Sequence, residues 1–218
     1  MAALILTLLL VAQPAQEKFP VEDHCWLRFK AETWVTNKIV VEVNGKVVET
    51  LQKQRLKERS GDDYVIEVTE SLNGQTLATH TNWSSNGVIT GREALTVDGK
   101  EYACQVSLAK GKREEGETEF RYWMPKGNKY PLKVEFKQPN FEGVLTAVAV
   151  DEKVKIGERE YLCSRMEGKV KQGPSEGTMT VWLNQEIPGA QARLELLLKT
   201  PSGDLKLRAT PQEIHEEK

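Results

Sequence analysis

Four dipeptides, Asn44-Gly45, Asn73-Gly74, Asn86-Gly87 and Asp98-Gly99, set hairpin turns at short intervals along the chain. Asn-Gly and Asp-Gly readily take the positive φ values of a type I′ turn, whose twist matches that of two antiparallel strands. The runs between such turns alternate with period two. Tyr64, Ile66 and Val68 face one way, Glu67 and Thr69 the other. Leu132, Val134 and Phe136 oppose Lys133, Glu135 and Lys137, and Leu205 and Leu207 oppose Lys206 and Arg208. "VLTAVAV", 144–150, is apolar at both parities, which predicts a strand covered on both faces. The best helix candidate, "LQKQRLKERS", lacks caps and reads as the charged continuation of a hairpin arm. Short turns make neighbouring strands antiparallel. The expectation is an all-β fold: a meander of roughly ten to twelve strands, which must curl, close or split into layers. A strongly bent sheet, an open or half barrel, comes first, ahead of a closed barrel and a sandwich.

The chain also repeats itself. Glu101-Tyr102-Ala103-Cys104 and Glu160-Tyr161-Leu162-Cys163 match, and the same offset places Phe120 on Met179, Tyr122 on Val181 and Trp123 on Trp182. A one-residue gap aligns Lys133-Val134-Glu135 with Arg193-Leu194-Glu195, and further on Pro139 meets Pro201. Upstream, Gly87-Val88-Ile89-Thr90 pairs with Gly143-Val144-Leu145-Thr146 across a small indel. Segments 87–139 and 143–201 therefore read as two copies of one unit inside a single β domain spanning 19–211, followed by a polar tail, 212–218.

Ahead of that domain, "MAALILTLLLVAQPAQ" is apolar from Ala2 to Ala12. The run is shorter than the ~20 residues that cross a bilayer, and no integral membrane segment is expected. It has the length of a secretory h-region, although no Lys or Arg precedes it. Residues 1–15 are thus expected to be a signal peptide, and the protein to be exported, periplasmic or extracellular. "VEDHC" before Cys25 is not a lipobox. Hydrophobic residues at 39% and charged residues at 28%, with a net charge of −2 and no basic stripe, describe a globular chain without a nucleic-acid footprint. A monomer is expected.

Trp26, Phe29, Trp34 and Val35 in "CWLRFKAETWV", the meander after them, the Tyr-x-Cys strands and "TVWLNQEIPGAQARLEL" resemble uncharacterised exported proteins of planctomycete-type bacteria. They are also similar to LolA/LolB-like periplasmic half-barrel proteins. The resemblance implies a concave apolar sheet that holds a lipophilic group such as a lipoprotein acyl chain. No ligand-contacting residue carries over by motif, and the helices that lid such half-barrels are not evident here.

Three cysteines leave one odd. Cys104 and Cys163 could bridge if their Cα atoms approach within about 7 Å, or both could be buried thiols, which equivalent core positions favour. His24 beside Cys25 would point to the opposite face of a strand, and no C-x-x-C occurs. "GPSEG", 173–177, matches G-x-S-x-G, yet a strand rather than a helix follows it and Gly173-Pro174 is turn chemistry. His24, His80 and His215 are scattered, and Asp62-Asp63 and Glu114-Glu115 sit in charged turns without calcium-loop spacing. No metal, cofactor or catalytic residue is expected, and Asn82-Trp83-Ser84 is a glycosylation sequon that matters only in a eukaryotic source. The leading expectation is a non-enzymatic binding protein for a lipid or acyl chain, with ligand contacts at Trp34, Tyr64, Ile66, Phe120, Tyr122, Phe136 and Trp182. The alternative is a structural or protein-interaction module of the cell envelope whose sheet interior is fully packed.

Overall fold

The computed structural model describes residues 25–61, 63–72, 75–83, 88–113 and 116–217. The expected signal peptide, His24, the Asn73-Gly74 and Asn86-Gly87 turns and Glu114-Glu115 lie outside them. The described residues contain no helix. They form β1 (Trp34–Val43), β2 (Lys46–Ser60), β3 (Asp63–Leu72), β4 (Gln75–Trp83), β5 (Val88–Val97), β6 (Lys100–Arg113) and β7 (Gly116–Pro125). Then come β8 (Lys133–Gln138), β9 (Phe141–Ile156), β10 (Arg159–Gln172), β11 (Ser175–Leu183), β12 (Gln191–Thr200) and β13 (Gly203–His215). Thirteen is one strand beyond the expected range, because the turns are so short that few residues lie outside a strand. At two of the turn dipeptides the backbone is as foreseen: Asn44 and Gly45 have φ of 51° and 75°, Asp98 and Gly99 of 51° and 72°.

One antiparallel sheet holds all thirteen strands, ordered β4-β3-β2-β1-β13-β12-β11-β10-β9-β8-β7-β6-β5. The first and last described strands, β1 and β13, pair in its interior as the fourth and fifth of that order, with Trp34 opposite His215 and Val43 opposite Leu205. The segment read as a tail therefore continues β13 through His215. At the ends of the order stand β4 and β5, consecutive in the chain but not paired with each other. The rim β4 touches β6 through two residue pairs, Asn82 with Lys112 and Trp83 with Gly111. The sheet is curled but not closed, an open half barrel.

The duplication is visible as register. Leu95 faces Tyr102 and Glu93 faces Cys104 in the first copy; Val154 faces Tyr161 and Glu152 faces Cys163 in the second. On the next ladder, Val106 opposite Trp123 becomes Arg165 opposite Trp182. Upstream the register corrects the sequence alignment. Ser107 pairs Ile89 while its counterpart Met166 pairs Ala147, so Ile89 corresponds to Ala147 and not to Leu145. From there to the Tyr-x-Cys pairs β9 holds one residue more than β5, an irregularity opposite Cys163 and Arg165 of β10, where Asp151 takes φ of 58°. Such a bulge sharpens local twist.

Alternation decides which side chains the curled sheet encloses. On β9, Leu145 and Ala147 are buried while Val144 and Val148 are exposed, so the apolar run is not covered on both faces as expected. Neighbouring strands among β9–β12 come unusually close at two glycines. A Cβ on Gly168 would lie 1.9 Å from the Val144 carbonyl oxygen, and one on Gly177 equally close to that of Leu197; only glycine permits that approach. The largest core cluster joins Leu132, Val134, Leu145, Met166 and Val181. A second gathers Trp26, Leu27 and Phe29, from the turn before β1, against Val35, Leu56, Tyr64 and Ile66. A third holds Tyr161, Cys163, Trp182 and Ile187.

The two repeat cysteines do not bridge. Cys104 on β6 and Cys163 on β10 are free thiols with three strands between them, each buried in a different cluster. Equivalent positions in tandem hairpins are separated by the length of the repeat, which keeps them apart.

Candidate functional site

The inner face of the curled sheet leaves a cavity of about 350 Å³. Its walls come from opposite limbs of the sheet. Tyr64 on β3 and Gln54 on β2 face Phe120 and Tyr122 on β7, Phe136 on β8 and Leu145 on β9. Met179, Val181 and Leu183 on β11 and Leu194 on β12 form the floor. Phe120 stacks on Tyr122 at 5.9 Å and on Phe136 at 6.0 Å, making a continuous aromatic wall. One end is stoppered by Cys25 and Trp26 from the N-terminal turn, and by the loop Asn184–Ala190.

That loop is rigidly tied. Asn184 Nδ2 donates to the Leu162 carbonyl at 2.6 Å, its Oδ1 accepts from the Glu186 amide at 2.7 Å, and the Ala190 amide reaches the Ile187 carbonyl at 2.7 Å. The Gly189 amide donates to the Cys25 carbonyl at 3.2 Å, which joins the two parts of the stopper. Between them the loop presents Gln185, 7% exposed, whose amide donates to the Lys129 carbonyl at 2.6 Å. Its side-chain Oε1 is buried and has no hydrogen-bond partner.

Polar groups in the lining are neutral: Gln54, Ser107, Gln138, Gln185 and Gln191, the Tyr64 and Tyr122 phenols and the Cys25 thiol. Among the described residues no Asp, Glu, Lys, Arg or His lines the cavity, in a chain that is 28% charged. Burial, then the nearby Cys25, hold the Tyr64 and Tyr122 phenols protonated well above their usual range. Burial pushes Cys25 up to about 12, only partly offset by a backbone hydrogen bond. Nothing on this surface ionises near neutral pH.

Of the seven expected contacts, Tyr64, Phe120, Tyr122 and Phe136 line the cavity. Three lie elsewhere. Ile66, on the same face as Tyr64, is buried in the Trp26–Phe29 cluster and does not line the cavity. Trp34 stacks on His215 at 5.4 Å, with the Lys53 ammonium 3.9 Å over its ring. Trp182 sits on the opposite side of β11 from Val181; its Nε1 donates to Glu152 at 2.7 Å and Arg193 covers its ring at 4.7 Å. Trp123 repeats this with Glu93 at 2.7 Å and Lys133 at 4.1 Å. The paired tryptophans are thus repeat architecture rather than a binding platform. Sequence reasoning missed Met179 and Val181, although they are the second-copy equivalents of Phe120 and Tyr122 and could have been found by that equivalence. No sequence signal placed Gln185.

A larger trough of about 950 Å³ runs over the other face of β7–β12. It is floored by Gly143 and Gly177 and bordered by Glu119, Glu135, Lys169 and Lys171, all open to water. The inner cavity is the better candidate despite its smaller volume, because it is the more recessed of the two and carries the aromatic wall. "GPSEG" forms the β10–β11 turn, with φ of 56° at Gly173 and Ser175 opening β11. Among the described residues no group of three His, Cys, Asp or Glu side chains is placed to hold a metal, and no helix is long and apolar enough to cross a membrane. Comparison with protein-family models, with curated proteins and with solved structures finds no match for this chain.

Proposed function

We propose that this chain is an exported, non-enzymatic carrier that holds a lipid or acyl chain in the cavity of its half barrel, as a monomer. The observation that carries the reading is the uncharged, aromatic-walled cavity of about 350 Å³. At about 30 Å³ per water-sized group, that is room for on the order of ten heavy atoms. Each methylene buried there contributes about 0.8 kcal/mol, so a medium-length chain gains enough to offset the entropy of capture. The apolar run Ala2–Ala12 supports export. The likeness to half-barrel carriers of lipoprotein acyl chains points the same way. The protonated state of Cys25, Tyr64 and Tyr122 supports binding over nucleophilic chemistry.

A second reading, a packed structural module, has its own observation: Trp26 already fills one end of the cavity. Native mass spectrometry of the full chain, before and after organic extraction, separates the two. A carrier shows a removable bound mass, and Val181→Trp, which fills the floor, abolishes it. A protein that arrives empty and takes up no apolar fluorescent probe is the packed module.

A further inference from the structure

A cavity can be apolar and still choose its ligand by the few polar atoms it contains. Here those atoms are all neutral among the described residues. An ionised carboxylate, phosphate or ammonium entering would shed its hydration and meet no counter-charge, which is strongly unfavourable. An uncharged head avoids that loss. The second observation is specific. Gln185 Oε1 is an acceptor, buried and unpartnered, on a residue that lines the cavity and is 7% exposed. The Asn184 hydrogen bonds and the Gln185 amide bond to Lys129 hold the loop that carries it. A buried acceptor left empty is costly, and a ligand donor that reaches it removes the cost.

We propose that the occupant is an electrically neutral amphiphile whose polar end carries a hydrogen-bond donor, a hydroxyl or amide N–H, received by Gln185 Oε1 as its side-chain amide turns into the cavity, with its chain along the Phe120–Tyr122–Phe136 wall. This deepens the carrier reading and rests on it. It selects alcohols, acylglycerol-type hydroxyls and amides over fatty acids and over fully esterified lipids.

The test uses four probes of one chain length, chosen to fit the cavity: 1-octanol, methyl octanoate, octanoate and octylammonium. Each competes with an apolar fluorescent dye on the full chain. At neutral pH 1-octanol should bind at least about tenfold more tightly than either ion, and several-fold more tightly than the ester, which accepts but cannot donate. Gln185→Leu, close in volume, should bring the alcohol-to-ester ratio down to about one. A measurement on the unaltered protein stands beside the variant. Octanoic acid should lose about tenfold in affinity per pH unit above its pKa of roughly 4.5, since only its neutral, donating form enters. Equal binding of octanoate and octanol overturns the neutrality requirement and leaves the carrier reading standing. Equal binding of ester and alcohol overturns the role of Gln185. Failure of all four probes to displace the dye overturns this proposal together with the carrier reading.

Discussion

Replacing Trp123 or Trp182 by Phe tests the duplication as an energetic fact. Each indole donates to a glutamate at 2.7 Å and lies under a cation, Lys133 at 4.1 Å or Arg193 at 4.7 Å. A hydrogen bond to a charged group contributes about 1.5–3 kcal/mol. Neither orphaned carboxylate is fully desolvated: Glu93 is exposed, and Glu152 keeps Arg165 at 3.5 Å. The low end, about 1.5 kcal/mol, therefore applies. A phenyl ring attracts the cation less well than an indole, which adds about 0.5 kcal/mol. Each variant should lose about 2 kcal/mol, a fall in Tm of roughly 4–8 °C for a chain of this size. Three strands separate the two tryptophans, so the double variant should lose about 4 kcal/mol. Urea unfolding followed by circular dichroism measures all three. If one substitution is silent while the other costs its full amount, the two units are not energetically equivalent and the reasoning fails.

Gly168→Ala should destabilise more than any exposed glycine substitution, by several kcal/mol, because the added carbon meets the Val144 carbonyl rather than a movable side chain; Gly45→Ala, with nothing within 4 Å, costs only its φ of 75° and is the control in a thermal melt. Burial raises the thiols of Cys104 to about 11 and Cys163 to about 12, with Glu93 and Glu152 adding to the shift. Their native values lie above the ordinary 9.0, so their contribution is whole below pH 9 and is lost as pH rises toward those values; stability measured by denaturant titration should fall over that window, and a stability that rises there is the contrary result. Native protein at about pH 8 should resist thiol reagents at both positions until denaturant is added, as assayed by mass spectrometry. Ala109→Leu, which projects into the cavity, should weaken probe binding about tenfold with little loss of Tm.

Turn chemistry and alternation made the meander legible, because both act over a few residues: Asn44-Gly45 fixes its hairpin whatever surrounds it. The outer tryptophans and the inner Phe120 and Tyr122 were separable by parity alone. Three things were not legible. The repeat register on β9 was misplaced by two residues, because Leu145 and Ala147 share a face and the Gly-Val-x-Thr letters favoured the wrong one, while the structure needs only the single extra residue near Asp151. The β1–β13 pairing joins the two ends of the domain, and no local signal specifies a partner that far away. Trp26 and Gln185 reach the cavity from irregular backbone, where no periodicity tells which way a side chain turns. Trp182 lies outside the cavity for a simpler reason: it alternates with Val181, which takes the inner face.

The union of β1 with β13 also sets a schedule. As the chain is synthesised, β1 and β2 can pair at once, but the other edge of β1, from Trp34 to Val43, meets its partner only when residues 205–215 emerge. At roughly 5–20 residues per second that wait is on the order of ten seconds. Throughout it the N-terminal hairpins present an open strand edge that any extended segment can occupy. The strand that closes this edge follows twelve others, so the N-terminal hairpins stay unfinished, and threadable, until residues 205–215 arrive.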